Sequence, residues 1–246
     1  MATLLRLDGV SKNFGALQVA KDIRLEVAES EALGIIGSNG AGKSTLFNLI
    51  TGTLPVSAGR VWFEGRDLTL QPPSVRCRAG IARSFQIPHP FGGMTVYENL
   101  LVAAAFGDAS RSVGKHQHCA DLLERTGLRP KANVPAGRLS LLERKRLELA
   151  RALATRPRLL LLDEIAGGLT QAECIDLVES IKSIRASGVS IIWIEHVVHA
   201  LTAVVERLIV LHGGGFIADG PPAAVMREPK VREIYMGISG DERAAA

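Results

Sequence analysis

The spacing of apolar and polar positions changes several times along the 246-residue chain. Between residues 3 and 37, positions alternate or form short apolar runs, as in LLRLDGV, IRLEVA and ALGIIG. Such segments predict several β-strands that lead into a glycine-rich turn. The segment after that turn, KSTLFNLITG, predicts a helix with Gly52 at its C-terminal cap.

The pattern also predicts the order of elements in the rest of the chain. Strand character returns in GRVWFEGRDL, and PPSVRCRAGIARSFQ predicts a short helix and an apolar strand. About residues 95 to 126 are predicted to be helical around a polar joint, GDASRSVGK, and this insertion is the candidate for a small lobe. Helices then alternate with strands over RLSLLERKRLELARAL, RLLLLDE, a helix from about Gln171, VSIIWIEH, a further helix and RLIVLHGG. This order predicts an α/β fold with a mostly parallel sheet and helices on both faces.

Composition narrows the class of protein. With 47% hydrophobic residues, the chain is able to bury a substantial core as one large domain or a domain with a small lobe. The net charge is only +4 and the basic residues form no concentrated tract, which argues against nucleic acid as a partner. The mild basicity, with a pI near 9.1, fits a protein that binds polyphosphates or works beside an anionic membrane.

The sequence also predicts where the protein works. The apolar runs are far shorter than the roughly 20 residues of a membrane-spanning helix, and Arg6 and Asp8 interrupt what would be the apolar part of a secretion signal. We therefore expect neither a signal peptide nor a transmembrane segment. The odd set of cysteines, Cys77, Cys119 and Cys174, has no CxxC spacing, which indicates reduced thiols without assigned chemistry.

A candidate phosphate-binding loop occupies GSNGAGKST, which matches GxxxxGK[ST] between an apolar strand and a helix. Its glycines allow backbone N–H groups to turn toward phosphates, and the helix start adds partial positive charge. We expect Lys43 to bind the β- and γ-phosphates, Ser44 to bind Mg²⁺, and Thr45 to bind the next phosphate. The candidate nucleotide-binding residues here are Gly37, Ser38, Asn39, Gly40, Ala41, Gly42, Lys43, Ser44 and Thr45. A merely tight turn would not explain a lysine and two hydroxyls at these positions.

Two acidic residues follow the buried strand in LLLLDE. Ligands of open α/β sheets collect at the carboxyl ends of such strands. We expect Asp163 to hold the Mg²⁺ shell and Glu164 to act as general base toward the attacking water. By itself, an acidic pair at a strand end usually has no catalytic role, but in a chain with a phosphate loop the catalytic interpretation is favoured.

Three further residues converge on the same edge if the sheet is as predicted. Gln86 is placed at the end of the strand GIARSFQ, where an amide is able to touch both metal and water. His196 is placed at the end of VSIIWIEH, where it would donate to the γ-phosphate, and Phe14 precedes the loop, where it would stack on adenine. The ordinary alternatives are a polar cap, a satisfied histidine and a core phenylalanine.

Other candidate sites are weaker. HQHC, residues 116 to 119, and the pair His196 and His199 have spacing that suits a metal but lack further ligands, so no metal is expected there. The chain has no NKxD motif, so adenine is favoured over guanine, and signatures of DNA-binding proteins are absent.

Taken in order, these motifs resemble those of the ATP-binding-cassette (ABC) ATPase family over nearly the whole chain. The aromatic Phe14 precedes the Walker A motif GSNGAGKST, the Q-loop SFQ, the signature LSLLE, the Walker B motif LLLLDE, the D-loop GGLT and the switch IEH. Within the family, GIARSFQIPHPFGGMTVYENLLVAA and the segment from IEH to YMG look like the subunits that energise branched-chain amino acid uptake in bacteria.

The resemblance implies a RecA-like P-loop NTPase core and two lobes within a single domain, residues 1–246. It implies an antiparallel β lobe at about 1–35 and 55–70, a helical signature lobe at about 92–155 and a C-terminal helical tail at about 221–246. It further implies ATP and Mg²⁺ as cofactors, and head-to-tail pairing with a second cassette, identical or different, in which Ser140 of the signature serves the partner's nucleotide. The implied location of the chain is the cytoplasmic face of the inner membrane, as a peripheral subunit. The implied partners are transmembrane permease subunits and, indirectly, an extracytoplasmic solute-binding protein.

The chain departs from the family pattern at the signature, where Leu141, Leu142 and Glu143 replace the end of LSGGQ. Ile165 stands where proline is common, and Thr170 stands where the D-loop often has aspartate. The S-x-x-E spacing of Ser140 and Glu143 predicts a capping box, so the helix start is expected to persist. Along that helix, one side is predicted to be apolar, and Arg144, Glu148 and Arg151 are predicted to share the polar side. The alternative is a plain capped helix without a nucleotide role.

These observations lead to one hypothesis and two rivals. The hypothesis is the ATPase subunit of an importer for branched-chain or similar hydrophobic amino acids, with a permease-docking surface at IPHPFGGM, residues 87–94. That loop would otherwise simply pack under the helical lobe. A cassette that acts on nucleic acid or ribosomes would carry basic or coiled-coil insertions, and a small-molecule phosphotransferase would not explain the signature helix. An importer ATPase for another small solute stays open.

Overall fold

A computed structural model describes residues 2–107 and 114–236. Most of the polar joint GDASRSVGK and the last ten residues of the expected tail lie outside this part of the chain. The chain divides into two compact units. The first unit comprises Met1–Leu70 and Trp193–Ala246, and the second comprises Gln71–Ile192.

The described strands and helices agree in order with the sequence pattern. In chain order the strands are β1 (Thr3–Phe14), β2 (Leu17–Ala28), β3 (Ala32–Ile36), β4 (Ala58–Phe63), β5 (Arg66–Asp67), β6 (Ile81–Arg83), β7 (Leu159–Asp163), β8 (Ser190–Ile194), β9 (Arg207–His212) and β10 (Gly215–Gly220). The helices are α1 (Lys43–Thr51), α2 (Pro73–Ala79), α3 (Val96–Gly107), α4 (Lys115–Arg125), α5 (Leu141–Ala154), α6 (Gln171–Ala186), α7 (Val198–Thr202), α8 (Pro222–Val225) and α9 (Pro229–Met236). Gly52 caps α1 in a left-handed conformation, as predicted.

The first unit contains an antiparallel sheet in the order β2-β1-β4-β5. Leu7 and Leu25 pair across β1 and β2 and are buried, while their neighbours Arg6 and Glu26 are exposed, which is the alternation expected of a half-buried sheet. β3 does not join this sheet, because it pairs in parallel with β9, and β9 pairs antiparallel with β10. β3 is buried at all of its positions, so it supplies the core of this unit.

The second unit combines a parallel strand pair with helices. β6 pairs in parallel with β7, with Ile81 opposite Leu159, and β7 is buried along its whole length. α3 packs against α4 and α5, and the buried face of α5 includes Leu147, Leu149 and Leu153. The parallel pairs in both units and the alternation of strands with helices confirm the predicted α/β class.

Two strands end earlier than predicted. β6 ends at Arg83, so Gln86 lies in the exposed segment beyond the strand and does not end it. β8 ends at Ile194, so His196 also lies beyond its strand. The physical reason at β8 is that the buried Glu195 carboxylate accepts the N–H groups of His196 and Val197, which replaces strand pairing with a local side-chain cap.

The polar side of α5 also differs from the prediction. Glu148 forms the expected i,i+3 ion pair with Arg151, with 3.0 Å between Oε2 and Nη1, but it is only 6% exposed. Arg144 instead donates to the carbonyls of Leu139 and Gly137. The helix is therefore buried over a wider arc than its sequence indicates. Within the described residues, no helix is long and apolar enough to cross a membrane.

Candidate functional site

The candidate phosphate loop connects β3 to α1 in the first unit. A side chain at Gly37 would place its Cβ 2.3 Å from the carbonyl oxygen of Leu211 on β9, so only glycine fits this close approach. Gly42, at the start of α1, has φ of 104° and lies against the carbonyl of Val19 on β2. These positions let the backbone turn sharply from a buried strand into a helix, which is the local geometry that a phosphate cradle needs.

Lys43 is folded back over the loop that precedes it. Its Nζ donates to the carbonyl oxygens of Gly37 at 2.8 Å and Ser38 at 3.1 Å, and the residue is only 6% exposed. Ser44 is exposed and Thr45 is half-buried on the first turn of α1, where no side chain of the described residues caps the helix. Their hydroxyls and the helix start are therefore available to an anionic ligand.

Phe14 and His196 also lie in the first unit. Phe14 is the last residue of β1, is 48% exposed, and has the Nζ of Lys12 at 5.2 Å from its ring centroid. Its exposure contradicts the alternative of a core phenylalanine. His196 has an exposed side chain, and its backbone N–H donates to Glu195 at 3.0 Å.

Asp163 ends β7 in the second unit, as predicted, and is only 4% exposed. Its Oδ2 accepts a hydrogen bond of 2.5 Å from Nη2 of Arg83, the last residue of β6. Its backbone N–H donates to the buried hydroxyl of Ser84 at 3.4 Å. The Walker B aspartate is thus held from the neighbouring strand through both its side chain and its backbone.

Glu164 follows with a left-handed backbone, φ of 47°, which few non-glycine residues adopt. Its Oε2 accepts a hydrogen bond of 2.6 Å from Nε2 of Gln86. The structure therefore brings these two predicted site residues into contact, although Gln86 lies past the end of β6. Strained backbone at a predicted catalytic residue agrees with the tendency of such strain to occur at functional sites.

The signature helix α5 begins with the predicted capping box. Ser140 Oγ accepts from the N–H of Glu143 at 3.3 Å, and Glu143 Oε2 accepts from the N–H of Ser140 at 2.8 Å. The Leu141 side chain lies near Gly168 of the D-loop, 3.5 Å from where a Cβ on that glycine would be. The buried Lys145 Nζ donates to the Ile165 carbonyl at 2.9 Å. The signature helix is thus joined to the segment that follows Walker B.

The segment at residues 87–94 is exposed at its apolar side chains but anchored by polar contacts. Ile87, Phe91 and Met94 are exposed. The buried Asn99 amide accepts the Phe91 N–H at 2.9 Å and donates to its carbonyl at 3.1 Å. Arg151 donates to the His89 carbonyl at 3.0 Å and places its guanidinium 5.2 Å from the Phe91 ring centroid. The apolar groups are therefore presented on a fixed backbone.

Sequence reasoning did not single out Arg83 and Lys145, and it did not predict the burial of Glu148. All are charged side chains at positions inside or beside apolar segments, a signal that indicates a buried partner. Burial, opposed by the charge of Arg151, raises the pKa of Glu148. His116 and His118 belong to α4: the former bonds the Tyr97 hydroxyl at 2.6 Å, and burial lowers the pKa of the latter. In the described ranges, no group of three or more metal-ligating His, Cys, Asp or Glu side chains is found.

Comparison with known proteins identifies the class of protein to which the phosphate loop, the acidic end of β7 and the signature helix α5 belong. A family model described as ABC transporter matches residues 20–167. The chain therefore belongs to the ABC transporter family and is one of its ATPase cassettes. A second model, described as branched-chain amino acid ATP-binding cassette transporter, matches residues 217–240.

Individual relatives cover almost the whole chain. The high-affinity branched-chain amino acid transport ATP-binding protein BraF of Pseudomonas aeruginosa is 34% identical over 95% of this chain and 98% of its own. The lipopolysaccharide export system ATP-binding protein LptB of Escherichia coli is 32% identical over 96% and 98%. A solved ATP-binding cassette of an ABC transporter in its ADP conformation is 32% identical, with a TM-score of 0.88 over 97% of this chain and all of that one. This likeness confirms the cassette fold.

Proposed function

We propose that this chain is the ATP-hydrolysing subunit of an importer for branched-chain or related hydrophobic amino acids. The proposed cargo rests on the match of residues 217–240 to the branched-chain amino acid model, and the similarity to BraF supports it. The similarity to LptB at nearly the same identity makes export of a lipopolysaccharide the second candidate. The C-terminal match favours the importer.

The first unit binds the nucleotide in this proposal. The loop from Gly37 to Gly42, with the start of α1, cradles the phosphates, and Lys43 exchanges the carbonyls of its own loop for the β- and γ-phosphates. Thr45 contacts the next phosphate. The exposed Phe14 ring stacks on adenine, and His196 donates to the γ-phosphate.

The second unit supplies the groups for hydrolysis. Glu164 accepts the proton of the attacking water as general base, and Gln86 holds one of its carboxylate oxygens, which restricts its orientation. In the head-to-tail pair, Ser140 and the first turn of α5 serve the partner's nucleotide. The proposed functional residues of the first unit are those from Gly37 to Thr45 with Phe14 and His196, and those of the second unit are Gln86, Ser140, Asp163 and Glu164.

The chemistry of three of the proposed residues also fits Mg²⁺. A serine hydroxyl, an amide oxygen and a carboxylate are the hard oxygen donors that this ion prefers, and Ser44, Gln86 and Asp163 offer them. Asp163 is buried and forms an ion pair with Arg83 in the second unit. The ion would neutralise phosphate charge when bound. Around the bound ion, the residues named above would bind the nucleotide, orient the attacking water and accept its proton.

The proposed assembly places the cassette at the cytoplasmic face of the inner membrane, with a second cassette and permease subunits. The exposed side chains of Ile87, Phe91 and Met94 form the proposed docking surface for the permease. Hydrogen bonds with Asn99 and Arg151 hold the backbone of this segment in place. A solute-binding protein would act on the permease from the other side. We further propose that residues 1–246 act as one ATPase domain with β and helical lobes.

The test is reconstitution of the chain with the permease subunits from its own genome into vesicles. Uptake of labelled leucine, isoleucine or valine that requires ATP, and that is lost in Glu164→Gln, would support the proposal. Stimulated ATPase activity without amino acid uptake, but with release of lipopolysaccharide, would favour the second candidate.

A further inference from the structure

Arg83 and Asp163 form a buried ion pair in the second unit. Their side chains are 9% and 6% exposed, and the guanidinium Nη2 lies 2.5 Å from Oδ2 of the aspartate. Charges removed from water persist only when they are paired and hydrogen-bonded. The buried carboxylate of Asp163 therefore has its charged partner within the same unit, on the neighbouring strand.

The strand register explains how the contact forms. Arg83 lies opposite Leu161 in the parallel pair of β6 and β7, and its side chain reaches forward along β7 to Asp163. The next residue, Ser84, donates its N–H to the Leu161 carbonyl at 2.9 Å and accepts the N–H of Asp163. The guanidinium also lies over the Phe85 ring, 5.1 Å from its centroid. Arg83 is thereby held by a hydrogen bond at the edge of its planar group and by an aromatic ring over it.

We propose that Arg83 is a positioning residue for the metal site, and this rests on the proposed function. The guanidinium holds Oδ2 of Asp163 in one place through Nη2, so the carboxylate would offer its other oxygen to a bound metal. The planar guanidinium, which lies over Phe85, directs this N–H along one line, whereas an ammonium supplies mainly a point charge. Replacing Arg83 with lysine therefore keeps the charge but loses the directed hydrogen bond.

The experiment compares Arg83→Lys and Arg83→Gln with a surface control, Arg129→Lys, which alters the exposed contact with Glu124. Each protein is titrated with Mn²⁺ in the presence of a non-hydrolysable ATP analogue, and bound metal is followed by electron paramagnetic resonance. Nucleotide binding without metal is measured separately, and urea unfolding reports folding.

We expect at least a tenfold weaker apparent Mn²⁺ affinity in Arg83→Lys, with metal-free nucleotide binding within twofold of the parent and a folded protein. Arg83→Gln should be weaker still in metal affinity and less stable, and the control should match the parent. Unchanged or tighter Mn²⁺ binding in a folded Arg83→Lys protein would overturn the inference and leave the proposed function standing. A parent protein that binds no nucleotide or metal would instead refute the proposed function.

Discussion

Variants of Ser140 distinguish a purely structural role of α5 from a role in the partner's nucleotide site. They have a matched comparison in α6, because both helices begin with a capping box. In both, the side-chain oxygen accepts the N3 N–H at 3.3 Å, and the glutamate accepts the cap N–H at 2.8 Å. Ser140→Ala removes the longer of these bonds, whereas Thr170→Ala also removes the 2.9 Å bond that Thr170 Oγ1 donates to Glu173. Loss of such a cap costs about 1 kcal/mol, which lowers Tm by about 2–4 °C in a chain of this size.

We therefore expect Thr170→Ala to lose at least as much free energy of unfolding as Ser140→Ala, measured by urea titration. Ser140→Arg should lose the same cap and also place a bulky cation where the partner cassette approaches. It should keep binding of ATP to its own loop, because Lys43 and its neighbours are untouched, yet hydrolyse ATP more slowly. If both Ser140 variants leave hydrolysis and its dependence on protein concentration unchanged, α5 is only a capped helix and the partner's site is built without it.

Three other expectations concern single groups. Glu164→Gln should bind ATP normally but lower turnover by about 100-fold or more, since the water loses its proton acceptor, and turnover within a few-fold of the parent would exclude that role. Lys43→Ala should weaken nucleotide binding and turnover together, and unchanged titration and turnover would place the site elsewhere. Burial raises the folded-state pKa of Glu148 above 4.5. As pH rises from that value, the unfolded chain loses the carboxyl proton before the folded protein does, so the folded protein loses stability. Glu148→Gln should therefore gain free energy of unfolding relative to the parent as pH rises, and a pH-independent difference in urea unfolding would contradict this.

Much of the local structure was predictable from the sequence because short-range rules determine it. The phosphate loop, the cap at Gly52 and the capping box at Ser140 each depend on residues within a few positions of one another. The pattern also placed Asp163 at its strand end. These features need no knowledge of what packs against them.

The contacts of the acidic residues were not predictable, because they join distant segments. Arg83 and Asp163 are 80 positions apart, and Gln86 and Glu164 are 78 apart. The pattern extended β6 to Gln86 because Phe85 looks like a strand residue, whereas its side chain is exposed. Glu148 looked like a solvent-facing charge, and only the packing around α5 shows that it is buried.

The contact of Lys43 with its own loop has a consequence for affinity. The ammonium group already lies out of water against two carbonyl oxygens, so its dehydration and side-chain ordering belong to folding and not to ligand binding. In the proposed site, an arriving phosphate would replace these neutral acceptors with anionic ones around a donor that is already ordered. Such preorganisation strengthens binding mainly by reducing its entropic cost. A lysine that moved freely in solvent would give the same contacts with weaker affinity.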